Sequence, residues 1–159
     1  MTTLYVRDQS GYREAQATDV LDRAKALLAQ RYRTGSPVLS SPALTREFLR
    51  VRLAGLDREV FGLVLLDNRR RLIAVQDLFY GTIDRASVHP REVVKSVLAH
   101  SASAAIAFHN HVSGQSTPSA ADELITRALV TALSCIEVPL LDHLIIAEPI
   151  FSFAEAGLL

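Results

Sequence analysis

The chain has 159 residues, 17 Lys+Arg balanced by 17 Asp+Glu, 49% hydrophobic residues and a single cysteine. That length suits one domain with a real buried core, and the hydrophobic share excludes a disordered chain. Zero formal net charge supplies no global field toward nucleic acid or anionic lipid, and a lone Cys135 excludes both an internal disulfide and a cysteine-ligated zinc site.

Residues 1–17 are polar and weakly patterned and are expected to form an arm. They lack the charged start and apolar stretch of a secretory signal. From Thr18, a candidate cap, Val20, Leu21, Ala24, Leu27 and Leu28 recur at helical spacing as far as Arg31, and Gly35, Ser36 and Pro37 break the pattern. This divides the chain into an arm and lead-in helix over 1–36 and a main domain over 37–159. Ser41 and Pro42 open a second helix, with Leu44, Phe48, Val51 and Leu53 inward, which stops at Ala54 and Gly55.

Residues 60–66 and 71–80 predict an antiparallel pair around Asp67 and Asn68. The first is apolar on both faces and so reads as an interior strand. Arg69, Arg70 and Arg71 between them read as a solvated turn. A helix is expected from Pro90 to about His100, a buried strand over 103–108, a long helix over 119–136, and strands over 139–147 and 150–153. Cys135 is expected as a small buried hydrophobe of the long helix. Residues 96–121 carry no Asp, Glu, Lys or Arg, yet His100, His109, His111, Asn110, Gln115 and several serines forbid a membrane span there. Helices alternating with a mostly buried sheet predict an α/β domain of two or three layers, and the protein reads as cytoplasmic.

Residues 109–122 carry the chemistry. Side chains at i and i+2 of a strand share a face, so a strand running into His109 lets His109 and His111 converge. Gly114 permits a sharp turn, Thr117 or Ser119 caps the next helix, and Asp122 in its first turn can reach back to the histidines. Two imidazoles and a carboxylate can hold a catalytic zinc ion and leave a fourth position for water. Ser119 and Asp122 are also close to an ordinary capping box. Hydrolysis needs a proton acceptor as well, and the candidates are acids near strand ends. Glu59 immediately precedes the interior strand. Glu92 is a rival, although it also fits the acidic first turn of a helix, and Glu123 would point to another helix face. His143 reads as a core residue or as support for the site from a neighbouring strand. His89 fits a helix entrance and His100 a helix end.

The spacing H-x-H-x(2)-G-x(4)-S-x(2)-D over 109–122 resembles the JAB/MPN (JAMM) metalloprotease signature. The strings VHPREVV (88–94), GTI (81–83), LDHLII (141–146) and SFAEAGLL (152–159) resemble its RadC-like branch. The short lead-in resembles the compact RadC-like proteins of mobile elements and prophages. The likeness covers residues 37–159 and implies a single JAB/MPN (cytidine-deaminase-like) fold, a mixed central sheet flanked by helices. It implies a zinc ion held by His109, His111 and Asp122, which lowers the pKa of a water toward ~7. Glu59 matches the family's glutamate base, which stands some fifty residues ahead of the first histidine. Ser119 matches the family's oxyanion donor. The implied substrate is a peptide or protein, cut at a peptide or isopeptide amide. Where the family usually has Pro after the second histidine, this chain has Val112.

Two other functions compete. RadC-like proteins carry an old DNA-repair label, but the neutral charge does not support nucleic acid as a partner. A zinc-binding interaction module without catalysis is the third reading. The apolar lead-in helix leaves packing against a second copy open. The letters of residues 109–111 do not make an HNH nuclease, and one cysteine cannot supply a zinc deaminase's ligands.

Overall fold

The computed structural model describes residues 3–8, 11–31, 41–81 and 88–159. The N-terminal residues differ from the expected arm. Tyr5–Asp8 (β1) and Gly11–Glu14 (β2) pair antiparallel, with Tyr5 opposite Glu14 and Asp8 opposite Gly11. Tyr5, Val6 and Tyr12 favour strand, and their alternation is too short to stand out from polar neighbours. Arg13 clasps Asp19 with both guanidinium amines at 2.7 and 2.8 Å, and Asp19 also accepts from Gln16 N. The helix Ala17–Arg31 (α1) therefore starts one residue before Thr18, with Asp19 supplying the first-turn acceptor. The break expected at residues 35–37, and with it the boundary at 36, lies outside the described residues.

Pro42–Leu53 (α2) begins as expected: Ser41 Oγ accepts from Leu44 N, and Pro42 occupies the first turn, where its missing N–H costs nothing. Phe48, Leu49 and Leu53 are buried, and Gly55 takes a φ of +73° where the helix has ended. Val60–Leu66 (β3) and Leu72–Tyr80 (β4) form the expected antiparallel pair. Asp67 closes the turn by accepting from Arg69 N, Arg71 N and Arg71 Nε, which leaves residues 68–71 in solvent.

Pro90–Ala99 (α3), Ala104–Asn110 (β5), Ala120–Ser134 (α4), Leu140–Ile146 (β6) and Phe151–Ser152 (β7) complete the order. The main sheet runs β4-β3-β5-β6-β7, with β5 and β6 parallel and the other pairs antiparallel. The parallel step requires a crossover, and α4 provides it. This is the expected mixed sheet flanked by helices.

Side-chain alternation divides the core between the two faces. Val64, Ile106, Phe108 and Leu144 pack with Phe48, Leu49 and Leu53 of α2. Phe61, Leu63, Leu65, Ala105 and Ala107 pack with Val93 and Val97 of α3 and with Leu129 and Leu133 of α4. Each large side chain so buried contributes on the order of 1.5–3 kcal/mol. At Gly62 a Cβ would overlap the Gln76 carbonyl and the Phe108 ring, and β3 has a register shift between Phe61 and Gly62. The glycine lets β4 and Phe108 close over β3. Among the described residues, no helix is long and apolar enough to cross a membrane.

Candidate metal centre

His109 lies on the α4 side of the sheet because it follows Ala105 and Ala107 at strand period. His143 on β6 joins it there, since the parallel register sets His143 beside Ala107. β5 ends at Asn110, so His111 stands one residue beyond the strand, yet the two rings still converge with Nε2 atoms 2.9 Å apart. Gly114, at φ +75°, turns the chain back, and Gln115 O meets His111 Nδ1 at 2.7 Å. Ser119, not Thr117, is the N-cap of α4. The capping box is complete: Ser119 Oγ accepts from Asp122 N, while Asp122 Oδ2 accepts from Ser119 N at 2.7 Å. Ser119 Oγ also donates to Asp122 Oδ2 at 2.7 Å.

The capping bonds leave the other carboxylate oxygen aimed inward. Asp122 Oδ1 is buried with no hydrogen-bond partner and lies 3.3 Å from His109 Nε2. Candidate ligand atoms of His109, His111 and Asp122 all fall within 4.8 Å of one another. Burial pushes the His109 imidazole down to about 4; the Asp122 carboxylate opposes that shift and His111 adds to it. Burial also holds His143 well below the ordinary histidine value, reinforced by His109 and His111. His109 is therefore uncharged at neutral pH, so its contact with Asp122 is not an ion pair. A carbonyl oxygen only accepts, so His111 Nδ1 carries a proton and donates to Gln115 O, which turns Nε2 toward His109 and Asp122.

These atoms fit a divalent metal. Unprotonated imidazole nitrogens and a carboxylate oxygen are its usual donors, and tetrahedral coordination at ~2.0–2.1 Å holds donors about 3.3 Å apart. Without a cation, the buried Asp122 Oδ1 has no partner, at a cost of at least about 1–3 kcal/mol.

Glu59 stands directly before β3. Phe61 is opposite His109 in the β3–β5 register, and strand alternation puts Glu59 on the side of Phe61. The Phe61 ring lies over His109 and meets His143 edge-on, with centroids 6.4 and 5.6 Å away. Asn110, between the two histidines, points to the other side. Its Oδ1 accepts from Val60 N at 2.7 Å and its Nδ2 donates to Arg58 O at 3.1 Å. The amide thus ties down the backbone on both sides of Glu59.

The remaining sequence candidates lie elsewhere. Glu92 is in the first turn of α3, paired with Lys95 at 3.0 Å, and that bond holds its carboxyl below the usual range. Glu123 pairs with Arg127 along α4. His89 is the N-cap residue of α3 and packs edge-on against Phe79. His100 closes α3 by donating from Nδ1 to Ser96 O. Cys135 departs from its expected burial: it is exposed. The buried stripe of α4 runs through Asp122, Thr126, Leu129 and Leu133, and Cys135 follows after the helix has ended, off that stripe.

Sequence reading missed Asn110 and Thr126. Thr126 Oγ1 lies 2.6 Å from His143 Nδ1, and His143 Nε2 lies 2.9 Å from His109 Nδ1. The available signal was position: Asn110 alternates with two histidines, and Thr126 is one helical turn after Asp122 on the same face.

Residues 39–158 match the RadC-like JAB domain family. A UPF0758 protein of Vibrio cholerae serotype O1 is 49% identical over 142 residues, covering 89% of this chain and 90% of the relative. UPF0758 proteins of Thioalkalivibrio sulfidiphilus and Aeromonas hydrophila are each 49% identical, over 91% and 90% of this chain. The chain spans 65% and 64% of those two relatives.

Proposed function

The chain belongs to the RadC-like JAB domain family, and on that footing we propose that it is a zinc-dependent hydrolase of peptide or isopeptide amide bonds. The observation that carries this reading is the convergence of His109 Nε2, His111 Nε2 and the partnerless Asp122 Oδ1. These three residues would hold the ion, whose chemistry when bound would be that of a Lewis acid, lowering the pKa of a water toward ~7.

The chain's own residues do the rest. Glu59 takes the proton of the attacking water and returns it to the leaving amine nitrogen. Asn110 keeps Glu59 in register with His109 and His111 by fixing Arg58 O and Val60 N. Ser119 stabilises negative charge on the carbonyl oxygen by turning its hydroxyl proton from Asp122 Oδ2 to the substrate. Asp122 Oδ2 meanwhile keeps its bond from Ser119 N. Loss of such a donor costs on the order of a hundredfold in turnover, and the N-terminus of α4 adds to the same field. A groove of ≈260 Å³ lined by Leu53, Gly55, Asn110, His111, Val112 and Glu148 borders His111 from the α2 side of the sheet. Val112, 52% exposed, lies at its edge.

The test is a peptide and isopeptide cleavage screen with zinc-loaded wild type and Glu59→Gln. Cleavage by wild type alone, at equal zinc content, is expected. Full cleavage by Glu59→Gln would remove Glu59 from its role. Zinc binding without cleavage of any substrate would favour an interaction module.

A further inference from the structure

We propose that Thr126 and His143 form a hydrogen-bond relay that holds His109 in the Nδ1–H tautomer and so presents its Nε2 lone pair to a metal. The inference rests on the metal reading of the site and assigns positioning roles to two residues that touch neither metal nor substrate.

The relay follows from counting protons. Thr126 Oγ1 lies 2.6 Å from Asp122 O. A carbonyl cannot donate, so the single hydroxyl proton is committed to that bond. Thr126 Oγ1 must then accept from His143 Nδ1, 2.6 Å away. An uncharged imidazole carries one ring proton, and here it sits on Nδ1. His143 Nε2 is therefore an acceptor, and the atom facing it at 2.9 Å, His109 Nδ1, donates. That places the His109 proton on Nδ1 and leaves Nε2 bare, directed at His111 Nε2 and Asp122 Oδ1.

The surroundings allow few alternatives. His143 and His109 are fully buried, and the His143 ring stacks on Phe153 with centroids 4.8 Å apart and planes 15° from parallel. Phe61 packs against both rings. The ring orientations are fixed by the nitrogens' own partners at 2.6–2.9 Å, since a flipped ring would set a carbon against Thr126 Oγ1 or the neighbouring imidazole, so tautomers set the direction of the chain. Asp122 is bound in twice: its carboxylate faces the metal position, and its backbone carbonyl anchors the far end of the relay through Thr126. Ligand and anchor share one helical turn of α4.

Thr126→Val removes the acceptor at nearly constant volume. The His143 proton then has no partner at Nδ1 and moves to Nε2, where it donates to His109 Nδ1. His109 is driven to carry its own proton on Nε2, the atom the metal needs. Changes of this kind in a ligand's hydrogen-bond partner typically cost 10–100-fold in metal affinity.

The experiment combines ¹⁵N NMR of the ring nitrogens in metal-free protein with zinc titration against a chromophoric chelator, for wild type, Thr126→Val and Thr126→Ser. The relay predicts Nδ1–H on both His109 and His143 in wild type and in Thr126→Ser. It predicts Nε2–H on both rings in Thr126→Val, with zinc bound 10–100-fold more weakly and Thr126→Ser within about threefold of wild type. Nε2–H on His109 in metal-free wild type would overturn the relay, as would undiminished zinc affinity in a folded Thr126→Val. Failure of wild type to bind zinc would instead overturn the metal reading, and the ring-nitrogen spectra would still decide the relay.

Discussion

Replacing Asn110 by alanine tests the proposed coupling of Glu59 to the candidate metal centre without touching His109, His111 or Asp122. Asn110 is 6% exposed and makes two bonds to the start of β3, accepting from Val60 N and donating to Arg58 O. Val60 is buried at 2% exposure, so its N–H finds no water once the amide is gone. A buried donor left without a partner costs about 1–3 kcal/mol, and the second bond, to a carbonyl of an exposed residue that water can reach, about 1 kcal/mol. A loss of about 3 kcal/mol in a chain of this length lowers the melting temperature by roughly 6–12 °C. Thermal melts followed by circular dichroism on metal-free protein measure this directly. Asn110→Asp retains the acceptor for Val60 N but sets a carboxylate oxygen against Arg58 O and buries a charge, so it should not restore the wild-type melting temperature. In zinc-loaded Asn110→Ala the metal stays bound within a few-fold, while cleavage falls at least tenfold because the base has lost its register. A melting temperature within about 2 °C of wild type would refute the clamp, as would unchanged cleavage.

Three further outcomes are expected. Metal-free protein should lose stability as pH falls from 6.5 to about 4, because the unfolded chain takes up a proton on His109 that the folded chain refuses over that window. At roughly 1.4 kcal/mol per pH unit His109 alone contributes about 3 kcal/mol, the buried His143 adds to the same loss, and urea denaturation at stepped pH should show at least that much, whereas a flat profile would contradict neutral buried histidines. Gly62→Ala drives a methyl into Gln76 O and the Phe108 ring and should destabilise the fold by about 1–3 kcal/mol in the same assay. Ser119→Ala removes the cap and one bond to Asp122 Oδ2, so a loss of about 1 kcal/mol in stability should accompany roughly tenfold weaker zinc binding by chelator competition.

The histidines, Asp122 and the strand leading to them were legible because strand period and helix capping act over a few residues. The sheet elements of the main domain were legible for the same reason, since β3 and β5 are continuous apolar runs buried on both faces. The N-terminal hairpin was not. Its four-residue strands are mostly exposed, and their pairing rests on cross-strand contacts instead of burial. Cys135 was misplaced because an apolar neighbourhood in sequence does not fix where α4 stops. The partners of Asn110 and Thr126 came to light only with the strand pairing and the packing of α4, which also decided between the two readings of His143. β3 meets β5 with Phe61 opposite His109, and β6 meets β5 with His143 beside Ala107, pairings between segments more than thirty residues apart.

The zinc content of protein purified without chelator, measured for wild type, His111→Ala and Asp122→Ala, tests the central claim most directly. Three converging donors predict one zinc per wild-type chain, a markedly lower content in both variants, and retained fold in His111→Ala, whose side chain is 13% exposed. Wild-type protein that takes up no zinc even when it is supplied, or variants that hold zinc as tightly as wild type, would contradict a metal centre at these residues.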